Sequence, residues 1–280
     1  MTGGLRRRCA GAAVCGLDRP APIGNRGRMF PIRDHNPTRT APYVTIGLII
    51  VNVAIFIASM PLMSSEQAIT RFFMEWGMVP ARVTGGDGYH TLFTSMFLHA
   101  GFAHLLGNMV FLWIFGDNME DRFGHFGFLL FYLASGVGAA LFHLLSAPVS
   151  TVPTVGASGA IAGVMGGYLL LYPRARVDVL IIFVFFIDVI TLPAWWMLGL
   201  WFVMQFFGGL AADPTMGGVA YWAHAGGFIV GAALTLPIWL RDGGTGYWSR
   251  THGLPPFPET RYRFGRSHVP RVPRRRSGRR

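Results

Sequence analysis

The sequence predicts an all-α membrane protein, a bundle of six transmembrane helices with both termini cytoplasmic. Three observations lead there. Of 280 residues, 52% are hydrophobic and only 13% are charged, a balance that soluble domains do not keep. Apolar runs near twenty residues long recur along the chain, each enough to span a hydrocarbon core. All 24 basic residues are arginine, eight before Pro42 and eleven after Leu240, so the formal net charge of +11 sits in two tails. Arginine clusters beside apolar spans hold chain ends in the cytoplasm and face acidic lipid headgroups. The expected division is an Arg-rich tail over 1–42, a membrane domain over 43–240 and an Arg/Pro-rich, disordered tail over 241–280. The partner implied is the lipid bilayer and not nucleic acid.

The first tail is not expected to act as a secretory signal, because Arg6-Arg7-Arg8 is followed only by the weak run Cys9–Leu17 before Asp18. Translation is expected to start at Met29, after 28 residues of Gly/Arg/Ala-rich sequence. Cys9 and Cys15 both fall in this tail, on the reducing side, so no disulfide framework is expected.

Tyr43–Met63 is the first expected span. Ser64–Thr94 is too polar to cross and too aromatic to leave the membrane, so it should lie in the interface. Leu98–Phe115 is the second span, and it carries His99, His104 and Asn108, which hydrocarbon does not accept without partners. Gly116–Gly124 reads as a short charged turn and His125–Leu145 as the third span. The helix opened by Ser158 runs only to about Tyr172. At 1.5 Å per residue it is about 22 Å long, short of the roughly 30 Å core, so its start must lie below the membrane surface. Val177–Leu192, interrupted by Asp178 and Asp188, reads as an interfacial segment. Pro193–Leu210 and Val219–Leu240 complete the set as fifth and sixth spans. With six spans the Ser158 helix starts on the outer side, and His104 and His224 lie in the outer halves of their own helices.

The stretch Thr154-Val155-Gly156-Ala157-Ser158-Gly159 puts a serine between glycines at a helix start, with free backbone N–H groups beside its hydroxyl. Alone it is a tight turn opening a helix; company changes the reading. A serine hydroxyl needs a neighbouring base to become a nucleophile, and His224 is the histidine of the last span. Gly227 and Gly231 follow it on the same face, matching a smooth stripe of Gly159 and Gly163. His104 and Asn108, four residues apart, share one face and can both donate to an oxyanion. No acid is placed to orient His224, so the expectation is a Ser158–His224 dyad with His104 and Asn108 stabilising the oxyanion and Gly156, Gly159 and Gly227 shaping the site. His99 is expected to be structural. No cofactor or metal is expected, since the chain has no H-E-x-x-H pattern.

The order His104-x-x-x-Asn108, Gly156-x-Ser158-Gly159 and His224-x-x-Gly227 resembles the rhomboid family of intramembrane serine proteases, prokaryotic members in particular, from about Phe30 to Leu240. The resemblance implies a rhomboid-like bundle with the serine at the base of a water-filled cavity. It also implies cleavage of single-span membrane proteins, with the Ser158 position as nucleophile and the His224 position as general base. Ser64–Thr94 looks like the family's interfacial loop, and the fifth span with the loop before His224 looks like its substrate gate. Where many members carry Trp-Arg in the first loop this chain has Tyr89-His90, which leaves that loop's anchoring open. The expected location is a bacterial inner membrane, with an organellar membrane as the alternative, since an Arg-rich, acid-poor start resembles a transit peptide. Two other classes compete: an inactive relative that binds and escorts membrane proteins, which would typically lack the serine or histidine, and a transporter relaying protons through His104 and His224, for which the sequence shows no inverted repeat.

Overall fold

The computed structural model describes residues 35–183, 186–213 and 218–257, without the side chains of residues 180–189. The readings of Cys9, Cys15 and Met29, and of the tail past residue 257, lie outside the described residues.

Helix α1 (Tyr43–Ser59) continues through a 3-10 turn to Ser64. Its buried residues Thr45, Leu48, Asn52, Phe56 and Ser59 form one stripe at helical spacing, while Ile50 and Ile57 point outward, as suits a helix with lipid on one side. Three short helices follow, α2 (Glu66–Trp76), α3 (Pro80–Thr84) and α4 (Thr91–Thr94). They make up the segment expected at the interface, and its anchoring is now explicit. Arg82 donates to the Met74 carbonyl and pairs with Asp87 at 2.8 Å. The Thr94 hydroxyl donates to the Trp76 carbonyl at 2.6 Å, and the His90 ring lies edge-on to Trp76.

Helix α5 (Phe102–Phe123) meets the preceding turn, Thr91–Phe97, at a bend of 94°. His99 sits in the break, only 2% exposed, so the second span starts later than Leu98. It also ends later. The charged stretch read as a turn is the last two turns of α5, and the chain reverses only at Gly124, whose φ of +72° suits glycine. The helix persists because its charges are partnered at a distance in sequence. Asp121 accepts from the Thr40 N–H and hydroxyl, and Arg122 pairs with Asp242. Glu120, fully buried, accepts from the Val44 N–H (2.8 Å), the Thr45 N–H and hydroxyl (2.7 Å each) and His125 Nδ1 (2.6 Å). Pro42 offers no side-chain cap to α1, so Glu120 supplies from another helix the anionic cap that a helix N-terminus calls for.

Helix α6 (His125–Ser146) leads by a loop into α7 (Ser158–Leu171), in which eleven of 14 residues are buried and none is exposed. Helix α7 is the axis of the fold, with α5, α6, α8 (Ala194–Ala211) and α9 (Tyr221–Arg241) around it. Glycine allows that enclosure. A Cβ at Gly227 or Gly231 of α9 would lie 2.0 Å from the carbonyl oxygen of Gly159 or Gly163, and one at Gly163 would lie 2.4 Å from Ser135 Cβ of α6. The paired smooth faces expected from spacing are backbones in contact.

Two further elements depart from expectation. Residues 176–193 form an antiparallel hairpin of β1 (Arg176–Phe183) and β2 (Phe186–Pro193), with Val179 opposite Ile190. Asp178 ties it down, accepting from Thr191 Oγ1 across the ladder at 2.6 Å and pairing with His35 at 2.9 Å. The described residues are thus mostly helical with one hairpin. The segment after Arg241 is not wholly disordered either. Thr245–Thr251 is a helix, α10; its Trp248 indole donates to the Leu170 carbonyl at the end of α7 (2.9 Å) and packs on Trp239. A single aromatic side chain satisfies an orphan carbonyl and holds the segment down.

Among the described residues four helical segments, Tyr43–Ser64, His125–Ser146, Ala194–Ala211 and Tyr221–Arg241, are long and apolar enough to cross a membrane, and the bent pair ending in α5 makes a fifth if it counts as one span. Helix α7 is apolar but short. The chain is an integral membrane protein by these helices.

Candidate active site

Ser158 is the first residue of α7, and the loop before it is tightly held. Met78 and Thr154 exchange backbone hydrogen bonds at 3.0 and 2.8 Å, and the Gly156 N–H donates to the Ser95 carbonyl at 2.9 Å. Gly156 has φ +134°, and a Cβ there would come within 2.8 Å of the His104 ring. Both facts demand glycine. The loop therefore brings the Ser158 hydroxyl and the His104 ring of α5 to one place.

From α9, His224 Nε2 lies 2.7 Å from Ser158 Oγ, a hydrogen bond between residues 66 positions apart. It forms where Gly227 and Gly159 let α9 and α7 touch. The other ring nitrogen, Nδ1, lies 2.8 Å from Gln205 Oε1 of α8. An amide oxygen accepts only, so Nδ1 carries the proton and Nε2 presents a lone pair to the serine hydroxyl. Trp201, one turn before Gln205, packs its ring on His224 with centroids 5.8 Å apart.

Asn108 shares the site and is 7% exposed. Its Nδ2 is buried without a hydrogen-bond partner among the described residues, an unusual state for an amide and a suitable one for a donor awaiting charge. His104 contacts His99, their rings 5.1 Å apart. Ser158, His224, His104, Asn108, Gly156 and His143 all line one cavity of 1080 Å³. Every residue named from the sequence as catalytic or oxyanion-stabilising is thus brought to one cavity. Gly159 lines the cavity too and meets Gly227 at the contact of α7 with α9, while His99 packs on His104. Among the described residues there is no group of three or more His, Cys, Asp or Glu side chains that could hold a metal ion.

Sequence reasoning missed Gln205, Trp201 and His143. The signal for Gln205 was present, since it is the one amide in the apolar helix Ala194–Ala211 and a polar group in hydrocarbon requires a partner. His143 carries a buried Nδ1 without a partner among the described residues, but nothing in its spacing sets it apart.

A family model described as the Rhomboid domain matches residues 86–241. The chain belongs to the rhomboid family. Its relatives include the chloroplastic Rhomboid-like protein 11 of Arabidopsis thaliana, 35% identical over 156 residues, covering 54% of this chain and 52% of that one. The mitochondrial Rhomboid protein 1 of Saccharomyces cerevisiae is 32% identical over 146 residues, 49% of this chain and 38% of that one. The rhomboid protease GluP of Bacillus subtilis is 41% identical over 78 residues, 28% of this chain and 15% of that one. This rhomboid-family chain spans about half or less of the length of these relatives. They come from a chloroplast, a mitochondrion and a bacterium, so they support a membrane protein and give no support to a bacterial inner membrane in particular.

Proposed function

We propose that this protein is an intramembrane serine endopeptidase that cleaves single-span membrane proteins in or near the outer half of the bilayer. The observation that carries the reading is the 2.7 Å hydrogen bond from the helix-heading Ser158 to His224 Nε2. As a substrate carbonyl carbon approaches, the hydroxyl proton passes to Nε2 and Oγ bonds to that carbon. Negative charge gathers on the former carbonyl oxygen, where the Asn108 amide, His104 and the Ser158 N–H can donate to it. The imidazolium then gives its proton to the leaving amine as the C–N bond breaks. Water, deprotonated by the same ring, next releases the acyl group from Ser158. The substrate helix must unwind locally to expose its carbonyl, so helix-weakening residues near the cut are expected.

The arginine-rich ends support a topology with both termini in the cytoplasm and the cavity open to the opposite side. They also support the division into a membrane domain, 43–240, between two tails. The test is reconstitution of the full chain with a single-span substrate beside Ser158→Ala and His224→Ala. Cleavage by the unmodified protein alone is expected. Equal cleavage by either variant removes the dyad, and no cleavage by any of the three supports a binding and escort role.

A further inference from the structure

We infer that Gln205 is a positioning residue for the base, fixing the tautomer and the aim of the His224 ring; the inference rests on the protease reading above. A dyad has a physical difficulty that a triad solves with its acid. A neutral imidazole chooses between two tautomers, and only the one protonated on Nδ1 leaves Nε2 free to take a proton. Among the described residues the ring's hydrogen-bond partners are Ser158 on Nε2 and Gln205 on Nδ1, and neither is a carboxylate. The Nδ1 partner is the Gln205 amide oxygen at 2.8 Å, and Gln205 is itself buried, 8% exposed.

Helix α8 is built to deliver this contact. Its buried residues Ala194, Leu198, Gln205 and Gly209 share one face, and Trp201, one turn from Gln205, packs against the His224 ring. Close approach of α8 to α9 depends on glycine. A Cβ at Gly208 would lie 2.6 Å from the Tyr221 ring and one at Gly209 would lie 2.8 Å from the Trp222 ring, immediately before His224. Gln205 therefore meets Nδ1 while the Trp201 ring packs beside the imidazole, tilted 32° to it. A neutral acceptor orients the base without placing a second charge in the membrane, where a carboxylate is costly.

The experiment compares the unmodified full chain, Ser158→Ala, Gln205→Leu, Gln205→Met and Gln205→Glu in vesicles with a single-span substrate. It measures kcat, KM and thermal unfolding, together with labelling of Ser158 by a fluorophosphonate. Loss of the acceptor in Gln205→Leu or Gln205→Met is expected to lower kcat and the labelling rate on the order of tenfold to a hundredfold with KM unchanged. Gln205→Glu restores an acceptor and is expected to recover most of that loss, which a purely structural role would not give. Having two acceptor-free variants keeps the comparison open if one fails to fold. The inference is overturned if a folded acceptor-free variant works within about threefold of the unmodified chain, or if Gln205→Glu is as slow as Gln205→Leu. Failure of the unmodified protein both to cleave and to label at Ser158 would instead bring down the protease reading, and this inference with it.

Discussion

Replacing Gly227 by alanine puts a methyl group between the two helices that carry the proposed dyad. The added carbon would stand 2.0 Å from the Gly159 carbonyl oxygen, whereas real Cβ atoms essentially never come under 3.0 Å. Backbone lies on the far side, with no flexible side chain to swing away, so α9 and α7 must separate by at least about 1.0 Å. Gly227 is three residues from His224, and Gly159 is next to Ser158. Passed on along the line of the hydrogen bond, that separation stretches the 2.7 Å contact to about 3.7 Å, beyond the range of a hydrogen bond. A misplacement of about 1 Å at a reacting pair can cost on the order of a hundredfold in rate, and overpacking costs about 1 to 3 kcal/mol of stability. The assay is cleavage of a fluorogenic single-span substrate in vesicles, normalised to folded protein by thermal unfolding. Gly199→Ala on α8 is the control, because nothing lies within 4 Å of its added methyl. Wild-type turnover and stability in Gly227→Ala would refute the claim that backbone contact at this point sets the Ser158–His224 geometry.

Other perturbations test separate parts of the molecule. Asn108→Ala should slow kcat about a hundredfold without lowering the unfolding temperature, because the amide Nδ2 it removes has no partner among the described residues to lose; a clear loss of stability would mark Asn108 as structural. Glu120→Gln should destabilise the fold by about 2 to 3 kcal/mol through loss of the carboxylate shared by Val44, Thr45 and His125, with turnover per folded molecule preserved, as unfolding in graded denaturing detergent would show. Asp87 is held below its ordinary value of 3.8 by the hydrogen bond from Arg82. A carboxyl depressed in the folded state stabilises above its unfolded pKa and loses that contribution as pH falls through the folded value. The stability difference between the unmodified protein and Asp87→Asn should therefore be present near neutrality and vanish in strong acid; a difference that grows on acidification would contradict the pairing.

Much of this was legible in the residues alone, for identifiable reasons. The long apolar runs gave α1, α6, α8 and α9 within a few residues, since composition over twenty positions is a strong signal. Ser158, His224, His104 and Asn108 could be gathered because helical spacing places each on a defined face, and the glycines of α7 and α9 showed which faces could touch. What escaped depends on partners remote in sequence. The last turns of α5 read as a loop because the groups neutralising Glu120 and Asp121 belong to residues 40–45 and to His125. The hairpin at 176–193 looked only like a segment that does not span, since a short apolar run carries no period that separates strand from buried helix. Helix α10 was hidden by the Arg/Gly composition around Trp248. Gln205 escaped because a lone amide has no second residue to form a pattern with, although the rule applied to His104 and Asn108 applied to it equally.

The enclosure of α7 bears on how the molecule is made. Helix α7 has no exposed residue in the folded bundle and a length of about 21 Å, too short to cross a core of about 30 Å on its own. Its seat is completed by α9, which the ribosome produces some fifty residues later. No nascent chain released before Tyr221 therefore contains a formed Ser158–His224 pair. On the protease reading, the serine therefore has no base until α9 has been made and packed against α7.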